Sequence, residues 1–298
     1  MNQQETQKLN IQWYPGHMAK ARRNIKEDFA LVDVVVEVLD ARIPYSSRNP
    51  DLAELLEKKP QILVLNKKDL AAVAETDKWL AEYRRQGYFA LAINAAQKQG
   101  INLLLDAVKQ AAEPLMQKLE QKGRLRRPIR AMIIGVPNTG KSTVINSLTP
   151  RAAAITGNKP GVTKGRQWIK TAVGIEMLDT PGVLWPKFAN YRTAFNLAVC
   201  GSISDQIPPM YEIALSLADY LLANGLSELK ERYRLDETPA DKYALLEAVG
   251  RRRGLLVSGG MVRLEDAGLL LIHEFRAGKL GRHTLDKSPE NFKEAAEL

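Results

Sequence analysis

Residues Ile129–Leu148 read IRAMIIGVPNTGKSTVINSL. A short apolar run (Ile129–Ile134) leads into Gly135-Val-Pro-Asn-Thr-Gly140-Lys141-Ser142, and a helix-forming segment (Lys141–Leu148) follows. This is the GxxxxGK[ST] pattern in the setting where it works, between a strand and a helix. Gly135 and Gly140 let the backbone curl so that its N–H groups surround phosphate oxygens, and the helix N-terminus adds positive potential. Lys141 is placed for the β- and γ-phosphates and the Ser142 hydroxyl for Mg²⁺, with Asn138, Thr139 and Thr143 beside them. Chance gives such a match in roughly one chain of this length in a hundred.

Downstream, a strand over Gly174–Leu178 runs into DTPG (Asp179–Gly182). The spacing suits an Asp linked to the metal, here through water, and a Gly N–H that senses the γ-phosphate. A bare DxxG occurs about once per chain by chance, so position carries the reading. Between the two motifs lies KPGVTKG (Lys159–Gly165), where Thr163 is placed to complete Mg²⁺ coordination and, with Lys141 and Gly182, to act on the γ-phosphate.

Upstream, NKKD (Asn66–Asp69) follows the strand Gln61–Leu65. The Asp69 carboxylate can accept from both N1–H and the exocyclic amino group of guanine. Adenine would leave that carboxylate unpaired, a mismatch worth ~10⁴-fold or more. Asn66 would meet the other edge of the base, and the Lys67 stem would cover the ring beside Lys68. INA (Ile93–Ala95) ends the next strand, Phe89–Ile93, and puts Asn94 and Ala95 where backbone N–H groups reach guanine O6. The ligands implied are GTP and GDP.

Strands and helices alternate over the first part: Val32–Leu39, Gln61–Leu65, a helix at Asp77–Gln86, Phe89–Ile93, a helix at Asn102–Gln121, a basic connector GRLRRP (Gly123–Pro128), then Ile129–Ile134. Such alternation implies a doubly wound α/β sheet. After Pro186 the periodicity becomes helical, with helices from Pro208–Pro209 to Leu222, from Thr238–Pro239 to Gly250 or Gly254, and from Val262 to Ala277. The expected division is a nucleotide-binding domain over 1–189, with an N-terminal extension of about 1–24, and a helical domain over 190–298.

The order of motifs is the telling feature. A Ras-like GTPase has its phosphate loop first, then the Thr loop, DxxG and NKxD; here NKKD and INA precede GVPNTGKS, Thr163 and DTPG. The set is complete but rotated, as a circular permutation would leave it, and close chain ends in a compact domain make that feasible. The expected fold is α/β: a circularly permuted Ras-like P-loop GTPase domain followed by an all-helical C-terminal domain.

Composition sets outer bounds. A hydrophobic share of 45% and a charged share of 26% are those of an ordinary globular chain. The apolar runs at Val34–Leu39 and Leu269–Ile272 fall short of the ~20 residues that span a bilayer. The polar start MNQQETQKLN has no signal-peptide core, so the expected compartment is the cytoplasm, with no membrane partner. A lone Cys200 excludes an internal disulfide and a Cys-based zinc cluster. Residues 1–189 hold 29 Lys and Arg against 18 Asp and Glu, and residues 190–298 hold 14 against 16. The basic first part suits a polyanion, and a solvated basic surface accounts for it equally well.

QWYPGHMAKA (Gln12–Ala21), DARIP (Asp40–Pro44), NKKD, GVPNTGKS, KPGVTKG and DTPGVLWPK (Asp179–Lys187) together resemble the ribosome biogenesis GTPase A (RbgA or YlqF) family, over essentially the whole chain. The resemblance implies a factor in late assembly of the large (50S) ribosomal subunit that contacts ribosomal RNA, with no role for DNA. Members lack the glutamine that orients attacking water in Ras, and Val183 stands in that place, so hydrolysis should be slow alone and stimulated by the subunit. The resemblance offers the His of PGHMAKA, proposed in the family for the missing task, which here is His17; binding to RNA or the ribosome, or N-terminal packing, are its other readings. Related GTPases hold K⁺ through the Asn at Asn138. Lys20, Arg22, Arg23, Arg124, Arg126, Arg127, Lys164, Arg166 and Arg251–Arg253 are the basic residues to weigh for RNA. A GTP-dependent RNA-binding module without turnover is one alternative. A small-subunit assembly GTPase is another, but that type carries a Cys/His zinc site which one cysteine does not supply.

Overall fold

The computed structural model describes residues 25, 27–50, 56, 59–149, 167–171, 174–180, 182–185, 188 and 190–287. Six strands among them form one sheet: β1 (Val34–Asp40), β2 (Gln61–Asn66), β3 (Phe89–Ala92), β4 (Ile129–Ile134), β5 (Gln167–Lys170) and β6 (Ile175–Asp179), in the order β3-β2-β1-β4-β6-β5. All neighbours are parallel except β5, which runs antiparallel to β6. Every residue of β1 is buried, as expected of a central strand covered on both faces. One layer packs Val34, Val36 and Val38 with Leu104, Val108 and Ala112 of helix α2 (Ile101–Gln121) and with Val144 and Ile145 of α3 (Lys141–Leu148). The opposite face buries Leu39, Leu63 and Leu65 under Trp79 and Tyr83 of α1 (Val73–Arg85).

The boundaries expected for β4 and α3 coincide with those observed, and the other elements of the sheet region shift by a few residues at most. Strand β5 was not expected. The connector Gly123–Pro128 is exposed at Leu125, yet it is anchored: both Arg127 terminal nitrogens bond the Asp33 carboxylate at 2.8 Å, and Asp33 also accepts the Arg130 amide. Asp33 precedes β1 and Arg130 lies in β4, so this contact ties the two central strands where the connector enters the sheet.

Described residues 190–282 form a separate compact unit of five helices: α4 (Tyr191–Val199), α5 (Met210–Asn224), α6 (Leu226–Tyr233), α7 (Lys242–Arg253) and α8 (Leu264–Arg276). Asn190 caps α4 by accepting from Thr193 N, and α7 is capped by Asp241, not by the expected Thr238. Gly268 lies so close to Ala214 of α5 that a Cβ would stand 2.7 Å from its methyl carbon, which fixes the close crossing of α5 and α8. Helices α4 and α6 were not anticipated. Residues 283–287 return to the unit that contains the sheet. No helix among the described residues is long and apolar enough to cross a membrane.

Candidate functional site

Parallel strands end on a common edge, so the loops after β2, β3, β4 and β6 must gather there. In a sheet of this kind ligands bind at that edge, where the chain leaves the central strands in opposite directions. NKKD, INA, GVPNTGKS and DTPG occupy those four loops.

The loop after β4 needs its glycines. Gly135 has φ +147°, and a Cβ there would strike the Val38 carbonyl; Gly140 has φ +95°, and a Cβ there would strike the Asn66 amide. Lys141 opens α3 and is 6% exposed, with Nζ donating to Val136 O at 2.9 Å. Burial brings its ammonium down to about 8; Asp179 opposes the shift and Lys67 adds to it. A lysine held this way bends the loop around its own ammonium. Ser142 and Thr143 lie half-buried in the first turn of α3. Thr139 is wholly buried, its hydroxyl donating to Val136 O at 3.2 Å.

NKKD is locked to the phosphate loop by side chains. Asn66 Nδ2 donates to Thr139 O at 2.8 Å, and its Oδ1 accepts from Ala95 N at 3.1 Å. One amide therefore joins three loops, and the Ala95 N–H expected to face a base is bonded to it. Lys67 (φ +61°) sends Nζ to Asn138 O at 2.6 Å and to Asp40 Oδ2 at 2.8 Å. Lys68 N donates to Ile93 O, and Asp69 is half-buried just beyond. Asn94 is 2% exposed, its Oδ1 accepting from Gln97 N.

The DTPG turn also lies on the phosphate loop. A Cβ on Gly182 would stand 2.8 Å from Pro137 Cα and 2.9 Å from Lys141 Nζ. Val183 N donates to Gly135 O at 3.3 Å, and Thr180 Oγ1 donates to Ile133 O at 2.6 Å. Val183 itself is buried with Val35 and Leu178. His17, Thr163, Lys20, Arg22, Arg23, Lys164 and Arg166 lie outside the described residues.

Several residues of this edge were not singled out by chemistry in the sequence. Asp40 and Arg42 of DARIP form a buried bidentate pair at 2.9 and 2.8 Å. Burial alone would raise the Asp40 carboxyl, but Arg42 and Lys67 outweigh it and hold the group well below the usual carboxylate range. Asn49 Nδ2 donates to Val183 O at 3.2 Å, fixing the end of the DTPG turn. Among the basic residues weighed for RNA, Arg127 is paired with Asp33, Arg126 with Glu113, and Arg251, Arg252 and Arg253 with Glu247, Asp236 and Glu274, while Arg124 is exposed.

A phosphate loop, a DTPG turn packed upon it and an NKKD loop pinned to it, in rotated chain order on one sheet edge, define a circularly permuted P-loop GTPase. Residues 130–215 match a family described as "50S ribosome-binding GTPase". The chain is 44% identical to ribosome biogenesis GTPase A of Bacillus cereus, covering 96% of this chain and 97% of that one, and 44% identical to its namesake in Priestia megaterium, covering 95% and 98%. The solved structure of GNP-bound YlqF from T. maritima superposes with a TM-score of 0.60 at 29% identity, covering 90% of this chain and 98% of that one. This chain belongs to the ribosome biogenesis GTPase A family, and it is a GTP-hydrolysing enzyme.

The donors on the edge suit Mg²⁺, the ion GTPases use. Ser142 and the buried Asp179 carboxylate offer hard oxygens, and Asp179 lies near enough to Lys141 to act on its charge. Among the described residues there is no group of three or more His, Cys, Asp or Glu that could hold a metal.

Proposed function

We propose that the chain couples GTP hydrolysis to late assembly of the large ribosomal subunit, binding its rRNA in the GTP state. The observation that carries this reading is the packing of Gly182 against Pro137 and Lys141. A turn seated on the phosphate loop must shift when a γ-phosphate enters or leaves, and in the rotated chain that turn leads to Asn190, where the helical unit begins. The relatives' names support a role in ribosome assembly, and the 50S description of the matching family favours the large subunit over the small one.

In this reading Asp69 selects guanine, Lys141 and the loop N–H groups hold the phosphates, and Ser142, Thr163 and Asp179 would hold Mg²⁺, which would supply charge neutralisation at the phosphates. Asn138, with φ +61° at the loop crest, is proposed to hold K⁺. Val183 cannot orient water, so turnover is slow until the subunit brings His17 or another group to the attacking water. Arg124 is proposed as one rRNA contact, and the cytoplasm as the place of action.

Phosphate release measured with purified 50S and 30S subunits tests the proposal. The expected result is marked stimulation by 50S and little by 30S, with His17→Ala losing stimulation at unchanged GTP-dependent 50S binding. Equal effects of the two subunits, or none from 50S, would sink it. A His17→Ala loss of binding in step with turnover assigns His17 to docking.

A further inference from the structure

We infer that the segment His283–Asp286 is a strap that positions the guanine-recognition loop, making Thr284 and Asp286 determinants of nucleotide retention and base selectivity. The inference rests on the guanine reading of Asp69.

The loop from Lys67 to Ala72 must hold Asp69 at a fixed height over the sheet edge. Its first half is held from within: Lys68 N bonds Ile93 O, and Leu70 N bonds Lys67 O. Its second half has only a long internal bond, Ala71 N on Lys68 O at 3.4 Å. Helix α1 starts at Val73 after Ala72, whose methyl side chain caps nothing. The strap supplies what is missing there. His283 N donates to Leu70 O at 3.0 Å, and Ala72 N donates to Thr284 Oγ1 at 3.1 Å. Asp69 thus sits between Lys68, tied to β3's end, and Leu70, tied to the strap.

The strap also grips the neighbouring loop. Leu285 N donates to Arg42 O at 2.8 Å. The Asp286 carboxylate accepts from both the amide and the hydroxyl of Ser46, at 2.7 and 2.8 Å, and Asp286 O accepts from Trp79 Nε1 at 2.8 Å. Arg42 pairs with Asp40, and Asp40 with Lys67. Two separate paths therefore run from the strap to the loop that carries Asp69, one by backbone and one through a buried ion pair.

Irregular backbone is normally left on the surface, because buried polar groups need partners. Here all four strap residues are at most 5% exposed, and Asp286 is fully buried. Its charge is satisfied by Ser46, so a group costly to bury is held where it fixes one conformation. The chain enters this strap directly from the helical unit, which ends at Arg282.

The test uses the full-length chain with Thr284→Val and Asp286→Asn, reading release of a fluorescent GDP analogue and the preference for GTP over ITP, which lacks the exocyclic amino group. Thr284→Val keeps the shape and deletes the acceptor for Ala72 N. The expected result is release faster by about tenfold and a smaller GTP-to-ITP preference in both variants. Unchanged release, or faster release at an unchanged base preference, overturns the strap as a positioning device and leaves a purely structural role. Should Asp286→Asn fail to fold, Thr284→Val decides alone. Asp69→Asn, run alongside, should transfer preference to xanthine nucleotides. If it does not, the guanine reading falls, and the strap is then judged on release rate.

Discussion

Lys141 is the residue whose environment carries the most chemistry. Its ammonium is buried beneath the loop it serves, and burial draws it to about 8 from the ordinary 10.5. The sign follows from linkage: between those values the unfolded chain holds a proton that the native chain does not, so stability rises with pH across that window. Below pH 8 the native chain bears the full cost of a buried charge. Lys141→Met should therefore raise the melting temperature of the nucleotide-free protein at pH 7, with the gain fading as pH rises from about 8 towards 10.5. It should also weaken GDP by about tenfold to a hundredfold through the lost phosphate contact. A melting temperature that falls at pH 7 would show the charge to be supported and not burdensome. In wild type, GDP binding at pH 8–9 should take up protons, seen as calorimetric heats that differ between buffers of different ionisation enthalpy. The loop glycines and this lysine were legible because the chemistry is local. The bracing role of Asn66 was not: the sequence reading puts it on the edge of the base, and its amide is seen to join Thr139 and Ala95. An asparagine looks the same in either task, and only the third dimension shows the bracing.

Among elements, the connector from α2 to β4 carries the rotation. In a Ras-like chain these two elements lie at opposite ends, and here Lys122–Pro128 joins them. Arg124, Arg126 and Arg127 read in sequence as a basic patch for RNA. The structure divides them, since Arg127 closes a two-toothed bond on Asp33, 94 residues away. Asp33 is 5% exposed and Arg127 is 40% exposed, so the pair should be worth more than a surface bridge and less than a fully buried one. Arg127→Ala should cost about 1–2 kcal/mol by urea denaturation, because it takes two of the hydrogen bonds to the Asp33 carboxylate and leaves it the one from Arg130 N. Asp33→Ala should cost at least as much, and the double variant little more than either. Full additivity would mean that the two residues act separately. Strands β1, β2 and β4 were readable from continuous apolar runs. Strand β5, QWIK, escaped because its polar ends leave only Trp168 and Ile169 as an apolar run, and α4 escaped because its cap, Asn190, fell on the expected domain boundary. Nothing in HTLD (His283–Asp286) announces a buried segment. Its partners lie at least 207 residues away, from Trp79 on Asp286 to Arg42 on Leu285, and no local periodicity records them.

At the scale of the whole molecule, the helical unit is joined to the GTPase unit at both of its ends, after the DTPG turn and before the strap. Two deletions that look alike should then differ. Replacing 190–282 with a long flexible Gly/Ser linker keeps the strap, and should leave GDP retention near the full-length value while abolishing stimulation by 50S subunits. Ending the chain at 189 removes the strap as well, and should speed GDP release by about tenfold. Equal retention by the two would argue that the base loop stands without its strap. The same arrangement bears on how the protein is made. Synthesis runs from the N-terminus, so Leu70, Arg42, Ser46 and Trp79 leave the translating ribosome long before His283–Asp286 exist, and all of Asn190–Arg282 is made in between. The GTPase unit cannot close its last hydrogen bonds at the rate of its own folding, only when the strap arrives. Contacts this distant in sequence form late. A nascent chain should hence hold GTP loosely until the helical unit has been translated, which ties nucleotide retention to the presence of the helices.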